Sequence, residues 1–196
     1  EERSTDDKGK NNMADISKKW EKIRADYGRY LRVERRLSAN TVAAYNRDLE
    51  EFSHYILRHY DVVPEDVVPE MIERYMAWMY DKNRSSASQA RRLSGIKSFY
   101  NFLLFRDKVS QLPTESVDTP QRERMLPDVL TVEEIDAMLA TFDMTTSKGC
   151  RDSAMVEVLY SCGLRVSELT SLRVGDLFFG EGYIRIVGKG DKQRLV

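Results

Sequence analysis

Apolar side chains recur every three or four positions along the first half of the chain, which is the spacing of helices with one buried face. The first stripe consists of Ile16, Trp20, Ile23, Tyr27, Tyr30 and Leu31. Ser38 precedes a second stripe and is a good candidate for its N-cap. A third stripe begins near Pro69, and a fourth runs over residues 87–104. The pattern therefore predicts four amphipathic helices, with the methionine and aromatic residues of the stripes filling a core.

The helical period stops after residue 109 and resumes near residue 131. Three prolines lie between, at Pro113, Pro120 and Pro127, and each disfavours helix in the residue before it. Thr131 followed by Glu134 predicts a capping box at the start of another helix. Gly163 is placed to end a later helix in a left-handed cap. Residues 183–187 are rich in strand formers and lead into a Gly-rich turn, which predicts a β-hairpin.

These patterns predict a mainly α protein with two domains. We expect residues 1–12, which are polar and lack an apolar period, to be a disordered tail. Residues 13–109 are predicted to form an all-α bundle, and residues 110–126 an extended linker. Residues 127–196 are predicted to start an α+β domain. That last segment is shorter than the length that comfortably buries a core, so we expect exposed apolar surface or partner contacts there.

The charge of the chain is unevenly distributed. The formal net charge is only -1. However, residues 17–36 hold eight Lys or Arg against three acidic residues, and residues 81–108 hold seven against two. Two basic segments in a nearly neutral chain favour one positively charged face, such as a nucleic-acid-binding surface. An ordinary solvated helix face is the alternative.

Several other classes of site or location are not supported by the sequence. No stretch has the length and hydropathy of a transmembrane helix, and no secretory signal pattern opens the chain. Cys150 and Cys162 are read as reduced, partly buried thiols, which favours a cytoplasmic protein. His54 and His59 have no ligand partners at metal-binding spacing. We therefore expect no metal and no membrane contact.

Two short segments could carry chemistry. If Gly163 ends a helix, Arg165 lies in the first turn of the next one, where its guanidinium and free backbone amides could hold an anion. Glu168 lies three residues further on the same face and could orient Arg165 by an ion pair. Lys189 lies between two glycines in the predicted hairpin and could swing into a neighbouring site to donate a proton. An ordinary surface ion pair and a solvated lysine are the alternatives.

Together these segments resemble the tyrosine recombinase (phage integrase) family, especially the bacterial Xer-type recombinases. The segment Leu37-Ser38-Ala39-Asn40-Thr41 resembles the entry to the second helix of the family's core-binding domain. Gly163-Leu164-Arg165-Val166-Ser167-Glu168-Leu169 is similar to the first catalytic-arginine region. Gly188-Lys189-Gly190-Asp191-Lys192-Gln193-Arg194 is similar to the catalytic-lysine hairpin. The resemblance extends over nearly the whole chain beyond Met13.

The resemblance implies a four-helix, SAM-like core-binding domain followed by the N-terminal part of an α+β catalytic domain. It implies DNA strand cleavage and rejoining through a 3′-phosphotyrosine, without a metal or other cofactor. Arg165 then corresponds to an arginine that holds the scissile phosphate, Lys189 to the general acid for the departing 5′-oxygen, and Glu168 to a supporting acid. The family's His-x-x-Arg motif and nucleophilic tyrosine belong beyond Val196, so we expect this chain to be incomplete and unable to cleave DNA.

The resemblance also implies that double-stranded DNA is the partner, bound by a tetramer of identical or related subunits. We expect the second and fourth helices to contact DNA through Thr41, Tyr45, Ser85, Ser86, Gln89, Arg91, Arg92 and Lys97. Gln89 and Arg92 are the candidates for reading base edges. Arg122 and Arg124 in the linker are expected to touch phosphates as the two domains form a clamp.

Three functions fit the sequence. The first is an intracellular recombinase that resolves chromosome dimers, with a role in chromosome partition and cell division. The second is an integrase of a mobile element, which uses the same chemistry. The third is a non-catalytic DNA-binding module with the same fold.

Overall fold

A computed structural model describes residues 3–121, 128–188 and 192–196, with side chains from Met13 onward. The chain divides into two compact units, one ending at Met125 and one beginning at Leu126.

The first unit contains the four helices that the apolar stripes predict. They are α1 (Arg3–Val33), α2 (Ala39–His59), α3 (Pro69–Asp81) and α4 (Ser86–Phe105), with a short 3-10 turn at Pro64–Asp66. Ser38 is the N-cap of α2, and its hydroxyl accepts a hydrogen bond from the backbone N–H of Thr41 at 3.3 Å. Pro69 opens α3, where its missing N–H leaves no helical hydrogen bond unmade.

The first helix begins earlier than the sequence predicted. Helical backbone includes residues 3–12, which we expected to be a disordered tail. The physical reason is that no proline interrupts this stretch, and polar residues can continue a solvated helix once the buried turns after Met13 have nucleated it.

Aromatic side chains dominate the core of the first unit. Trp20 is buried and stacks on Phe99 with ring centroids 6.0 Å apart. The Trp20 indole N–H donates to the carbonyl of Val62 at 2.9 Å, so its polar atom is satisfied. Phe52 packs edge-on against both Trp20 and Tyr75. These contacts join α1, α2, α3 and α4 in one core.

The segment after α4 packs on the first unit instead of running free. Thr114 and Val117 are buried, and Leu112 packs against the core. The Lys97 ammonium donates to the carbonyl of Val117 at 3.0 Å. The predicted extended linker from residue 110 is therefore partly wrong, because apolar residues between the prolines find a place on the bundle.

The second unit combines short helices with a small antiparallel sheet. Its elements are α5 (Val132–Leu139), α6 (Ser147–Cys162), α7 (Val166–Ser171), β1 (Leu177–Phe178), β2 (Tyr183–Val187) and β3 (Gln193–Leu195). The strands lie in the order β1-β2-β3. Thr131 and Glu134 form the predicted capping box. Gly163 has φ 55° and ψ 43°, which confirms the left-handed cap.

The second unit exposes much apolar surface, as its short length predicted. Its buried apolar residues are few: Ile135, Leu164 and Ile186. Its exposed ones include Val129, Leu130, Met144, Tyr160, Val174, Phe179 and Leu195. None of the described helices is long and apolar enough to cross a membrane.

Candidate functional site

Arg165 is the N-cap of α7, and this differs from the predicted position in the first turn. Its backbone is extended, with φ -77° and ψ 150°. The reason is that α6 ends at Gly163, and the chain needs Leu164 and Arg165 to turn into α7, which begins at Val166. The Arg165 backbone N–H already donates to Glu168 Oε2 at 2.9 Å. That amide is therefore not free to bind an anion, which leaves the guanidinium as the anion-binding group of Arg165.

Glu168 is buried beneath Arg165 and holds it. The Glu168 side chain is 4% exposed, whereas that of Arg165 is 72% exposed. Arg165 Nη1 donates to Glu168 Oε1 at 2.8 Å, so the predicted ion pair is present. The guanidinium is thus anchored at one nitrogen while most of its surface faces solvent.

Arg194 is a third member of this cluster, to which the sequence analysis gave no role. Its Nη1 donates to Glu168 Oε1 and its Nη2 to Glu168 Oε2, both at 2.9 Å. Nη2 also reaches the carbonyl of Gly163 at 3.4 Å. Arg194 pairs with Ile186 across β2 and β3, and Ile186 is buried. An arginine on the inner face of a sheet needs an internal acid.

The cluster carries a surplus positive charge. The hydrogen bonds from Arg194, followed by the Arg165 backbone N–H, lower the pKa of Glu168 to about 2. Glu168 is therefore ionised at neutral pH and neutralises one of the two guanidinium groups. One positive charge remains, and Arg165 presents it to solvent.

The predicted lysine hairpin starts beside this cluster. The N–H of Gly188 donates to the carbonyl of Lys192 at 2.7 Å and closes the turn. A Cβ built on Gly188 would lie 3.3 Å from Glu168 Oε1, so the glycine lets the strand pass close to the carboxylate. Lys189 itself lies outside the described residues, and so do Arg122 and Arg124.

Four of the predicted DNA contacts lie at the starts of α2 and α4. Thr41 is half-buried, and its hydroxyl is 2.9 Å from that of Ser38. Tyr45 is half-buried and packs against the core. Ser85 is exposed as the N-cap of α4, and Ser86 follows it, half-buried.

Gln89 and Arg92, the two residues predicted to read base edges, are largely enclosed by the bundle. Gln89 is 7% exposed, and its side-chain amide donates to the carbonyl of Arg84 at 2.7 Å. The Arg92 side chain is 13% exposed, and its Nη1 lies 2.5 Å from Glu51 Oε2. Both residues face the neighbouring helices because α4 packs against α2 and α3.

The remaining two predicted contacts differ in how their charges are used. Arg91 pairs with the buried carboxylate of Asp48, yet its side chain is 47% exposed. The Lys97 ammonium donates to the carbonyl of Val117 and lies 3.5 Å from Thr119 Oγ1. Arg91 is therefore accessible to a phosphate, whereas Lys97 serves to hold the segment after α4.

Two family models match the chain. The one described as phage integrase, N-terminal SAM-like domain, matches residues 25–107, and the one described as phage integrase family matches residues 128–196. The chain is 40% identical over 176 residues to the tyrosine recombinase XerD of Listeria monocytogenes serovar 1/2a, covering 87% of this chain and 58% of that protein. It is 37% identical to the tyrosine recombinase XerD of Staphylococcus aureus strain N315, covering 90% and 60%. The chain thus spans less than two thirds of these relatives.

Solved structures show the same fold at lower identity. A lambda integrase tetramer bound to a Holliday junction matches with a TM-score of 0.72 at 16% identity, covering 90% of this chain and 49% of that one. The Tn1549 transposon integrase in complex with circular intermediate DNA matches with a TM-score of 0.60 at 16% identity, covering 89% and 58%. The predicted fold class, a SAM-like helical domain followed by the start of an integrase-type catalytic domain, is confirmed.

Proposed function

Because the chain belongs to the phage integrase family of tyrosine recombinases, we propose that it acts in site-specific DNA recombination. The observation that carries the proposal is the cluster of Arg165, Glu168 and Arg194. It holds one guanidinium in a fixed place, keeps it exposed and leaves one positive charge uncompensated. Such a fixed cation suits a phosphodiester, which gains negative charge as it reacts.

In the proposed reaction, a tyrosine hydroxyl loses its proton to solvent as its oxygen attacks the scissile phosphorus, and a 3′-phosphotyrosine forms. The bond between phosphorus and the 5′-oxygen breaks, and the departing oxygen takes a proton. Arg165 binds a non-bridging oxygen and stabilises the charge that develops there. Lys189 is the proposed proton donor, and the proximity of Gly188 to Glu168 supports its recruitment to this site. The tyrosine ester conserves the bond energy, so the reaction as proposed uses neither a metal nor a nucleotide.

We further propose that the first unit binds duplex DNA through contacts to the phosphates of the DNA backbone. Thr41, Tyr45, Ser85, Ser86 and Arg91 are the proposed contacts, since each keeps exposed or half-exposed surface at or near the start of α2 or α4. Contacts to phosphate fix the register of a protein on DNA without reading its sequence. The lambda integrase match is a tetramer on a Holliday junction, and we propose a four-subunit assembly on DNA here too.

The biological role that we propose is resolution of chromosome dimers. The support is the difference in identity: 37–40% to proteins named XerD, against 16% to the lambda and Tn1549 integrases.

A methylphosphonate scan tests the role of Arg165 in this proposal. A duplex is first enriched from a random-sequence pool for binding to the 196-residue chain. Each phosphate is then replaced in turn by an uncharged methylphosphonate, and the affinities of the wild type and of Arg165→Ala are compared. We expect one position at which the replacement weakens binding by the wild type and has no effect on the variant, because both changes remove the same contact.

The matched control is Arg185→Gln, which removes a different arginine of the second unit, in β2. Arg185 is paired with Asp176 at 2.7 Å and does not touch Glu168. This variant should keep the wild-type profile at every position. A scan in which no phosphate is coupled to Arg165 would refute the proposed phosphate contact.

A further inference from the structure

Hydrogen-bond donors occupy all the acceptor positions of the Glu168 carboxylate. An ionised carboxylate offers about four acceptor positions on its two oxygens. Arg194 takes one position on each oxygen, at 2.9 Å in both cases. The backbone N–H of Arg165 takes a second position on Oε2 at 2.9 Å. Only one position, on Oε1, remains for the guanidinium of Arg165, and Nη1 occupies it at 2.8 Å.

This arrangement prevents a two-point ion pair between Arg165 and Glu168. Within the described part of the chain, the other guanidinium N–H groups of Arg165 have no hydrogen-bond acceptor. An arginine binds a phosphate most strongly through two parallel N–H donors. Arg165 is therefore held in place and still has donors to offer.

We propose that Arg194 is a positioning residue whose fork saturates Glu168 and so keeps Arg165 free for phosphate. The inference rests on the proposed function, in which Arg165 binds the scissile phosphate. Without Arg194, Glu168 presents two open positions to Arg165 and pairs with it through two nitrogens. A two-point pair takes one more of the five guanidinium N–H donors of Arg165 and has no net charge, so the site loses a free donor and its net attraction for an anion.

A second ion pair of this unit, between Arg185 of β2 and Asp176, shows a different arrangement. Arg185 donates Nε and Nη2 to a single oxygen of Asp176, at 3.1 and 2.7 Å. No second arginine side chain of the described residues hydrogen-bonds to Asp176. Loss of Arg185 thus removes an ion pair of similar type without affecting Arg165, which makes Arg185→Gln the matched control for stability.

The first arm of the test uses the chain without DNA. Arginine side chains are labelled with ¹⁵N, and the rate of rotation of the Arg165 guanidinium about its Nε–Cζ bond is measured by NMR. We expect slower rotation in Arg194→Gln than in the wild type, because a two-point pair resists rotation, and no change in Arg185→Gln. Unchanged or faster rotation in Arg194→Gln would overturn the inference.

The second arm measures affinity for the enriched duplex. Arg194→Gln should weaken binding about fivefold, a typical coupling within one charged network. In an Arg165→Ala background the same change should weaken binding much less, since Arg194 acts mainly through Arg165. An equal loss in both backgrounds would assign Arg194 a merely structural role and overturn the inference.

Arg194→Lys separates the effect of the positive charge from that of the two-point hydrogen bonding. It also replaces Arg194→Gln in the test if a thermal melt shows that Arg194→Gln does not fold. Lysine keeps the charge but donates from a single point, so we expect an affinity between those of Arg194→Gln and the wild type, and slower Arg165 rotation than in the wild type. Full recovery of both properties would overturn the inference. If Arg165→Ala leaves DNA affinity unchanged, the proposed function fails, and the rotation measurement still decides the role of Arg194.

Discussion

Arg91 and Arg92 are adjacent in sequence, yet their surroundings predict opposite phenotypes. Arg91 keeps nearly half of its side-chain surface exposed above the carboxylate of Asp48. Arg92 points between helices, with Glu51 as its close partner and Asp48 Oδ1 at 3.9 Å from its Nε. One arginine can reach DNA, whereas the charge of the other is used inside the bundle.

The expected magnitudes follow from this difference. Arg91→Ala should reduce the slope of log affinity against log salt by about 0.9, the value for one lost phosphate contact. It should also lower the free energy of unfolding by about 2 kcal/mol, because the buried carboxylate of Asp48 loses its hydrogen-bond donor. Arg92→Ala should leave the slope unchanged and lower the free energy of unfolding by about 3 kcal/mol. That is the lower end for a broken buried ion pair, since Glu51 keeps some exposure.

Two measurements on each variant check this prediction. Anisotropy of a labelled duplex at several salt concentrations gives the slope, and urea unfolding gives the free energy. Both tryptophans, Trp20 and Trp78, lie in the first unit, so their fluorescence follows the unfolding of that unit. Arg58→Ala is the control, because Arg58 is exposed near the end of α2 opposite the proposed contacts. A flatter slope for Arg92→Ala, or equal slopes for both variants, would contradict the roles assigned to these two arginines.

Three further predictions concern pH, the core and the segment after α4. The folded-state pKa of Glu168 is about 2, below the ordinary value of about 4.3, so its contribution to stability is full above about pH 5 and falls as the pH drops towards 2. Glu168→Gln should remove that part of the acid dependence, measured by circular dichroism of the second unit across this range. Trp20→Ala should lower the free energy of unfolding in urea by about 4 kcal/mol, because it removes a buried ring and leaves the Val62 carbonyl unpaired. Lys97→Met should speed hydrogen exchange at Val117 at least several-fold without changing the melting of the bundle, and unchanged exchange would show that the ammonium does not hold this segment.

The features that could be predicted from the sequence are those set by local interactions. Ser38 and Thr131 cap their helices through hydrogen bonds to residues three positions away. Gly163 ends α6 because a left-handed residue is needed there, and glycine adopts that conformation without strain. The pair of Arg165 and Glu168 spans a single helical turn. Each of these features depends on a few neighbouring residues, so the amino-acid sequence alone is enough to predict it.

The features that the sequence did not predict depend on contacts between distant residues. Gln89 and Arg92 seemed to belong to a polar face of α4, but α4 is surrounded: Phe99 meets Trp20 and Tyr27 of α1, while other residues of α4 face α2 and α3. A helix with neighbours on most sides has little free polar face, and the period of its sequence does not show where the neighbours stand. Arg194 was missed for the same reason, since its acid lies 26 positions earlier in the chain.

In both units, a buried carboxylate arranges arginines so that a nearly neutral chain presents local positive charge. In the first unit, Asp48 and Glu51 contact three arginines: Arg84, Arg91 and Arg92. In the second unit, Glu168 contacts Arg165 and Arg194. Each cluster has one more guanidinium than carboxylate, and each leaves an arginine exposed. An acid of this kind strengthens an anion site although it subtracts charge, because an arginine held in place loses less side-chain entropy when a phosphate binds. The net charge of -1 thus says little about DNA binding, whereas the ratio of guanidinium to carboxylate groups within each cluster bears on it directly.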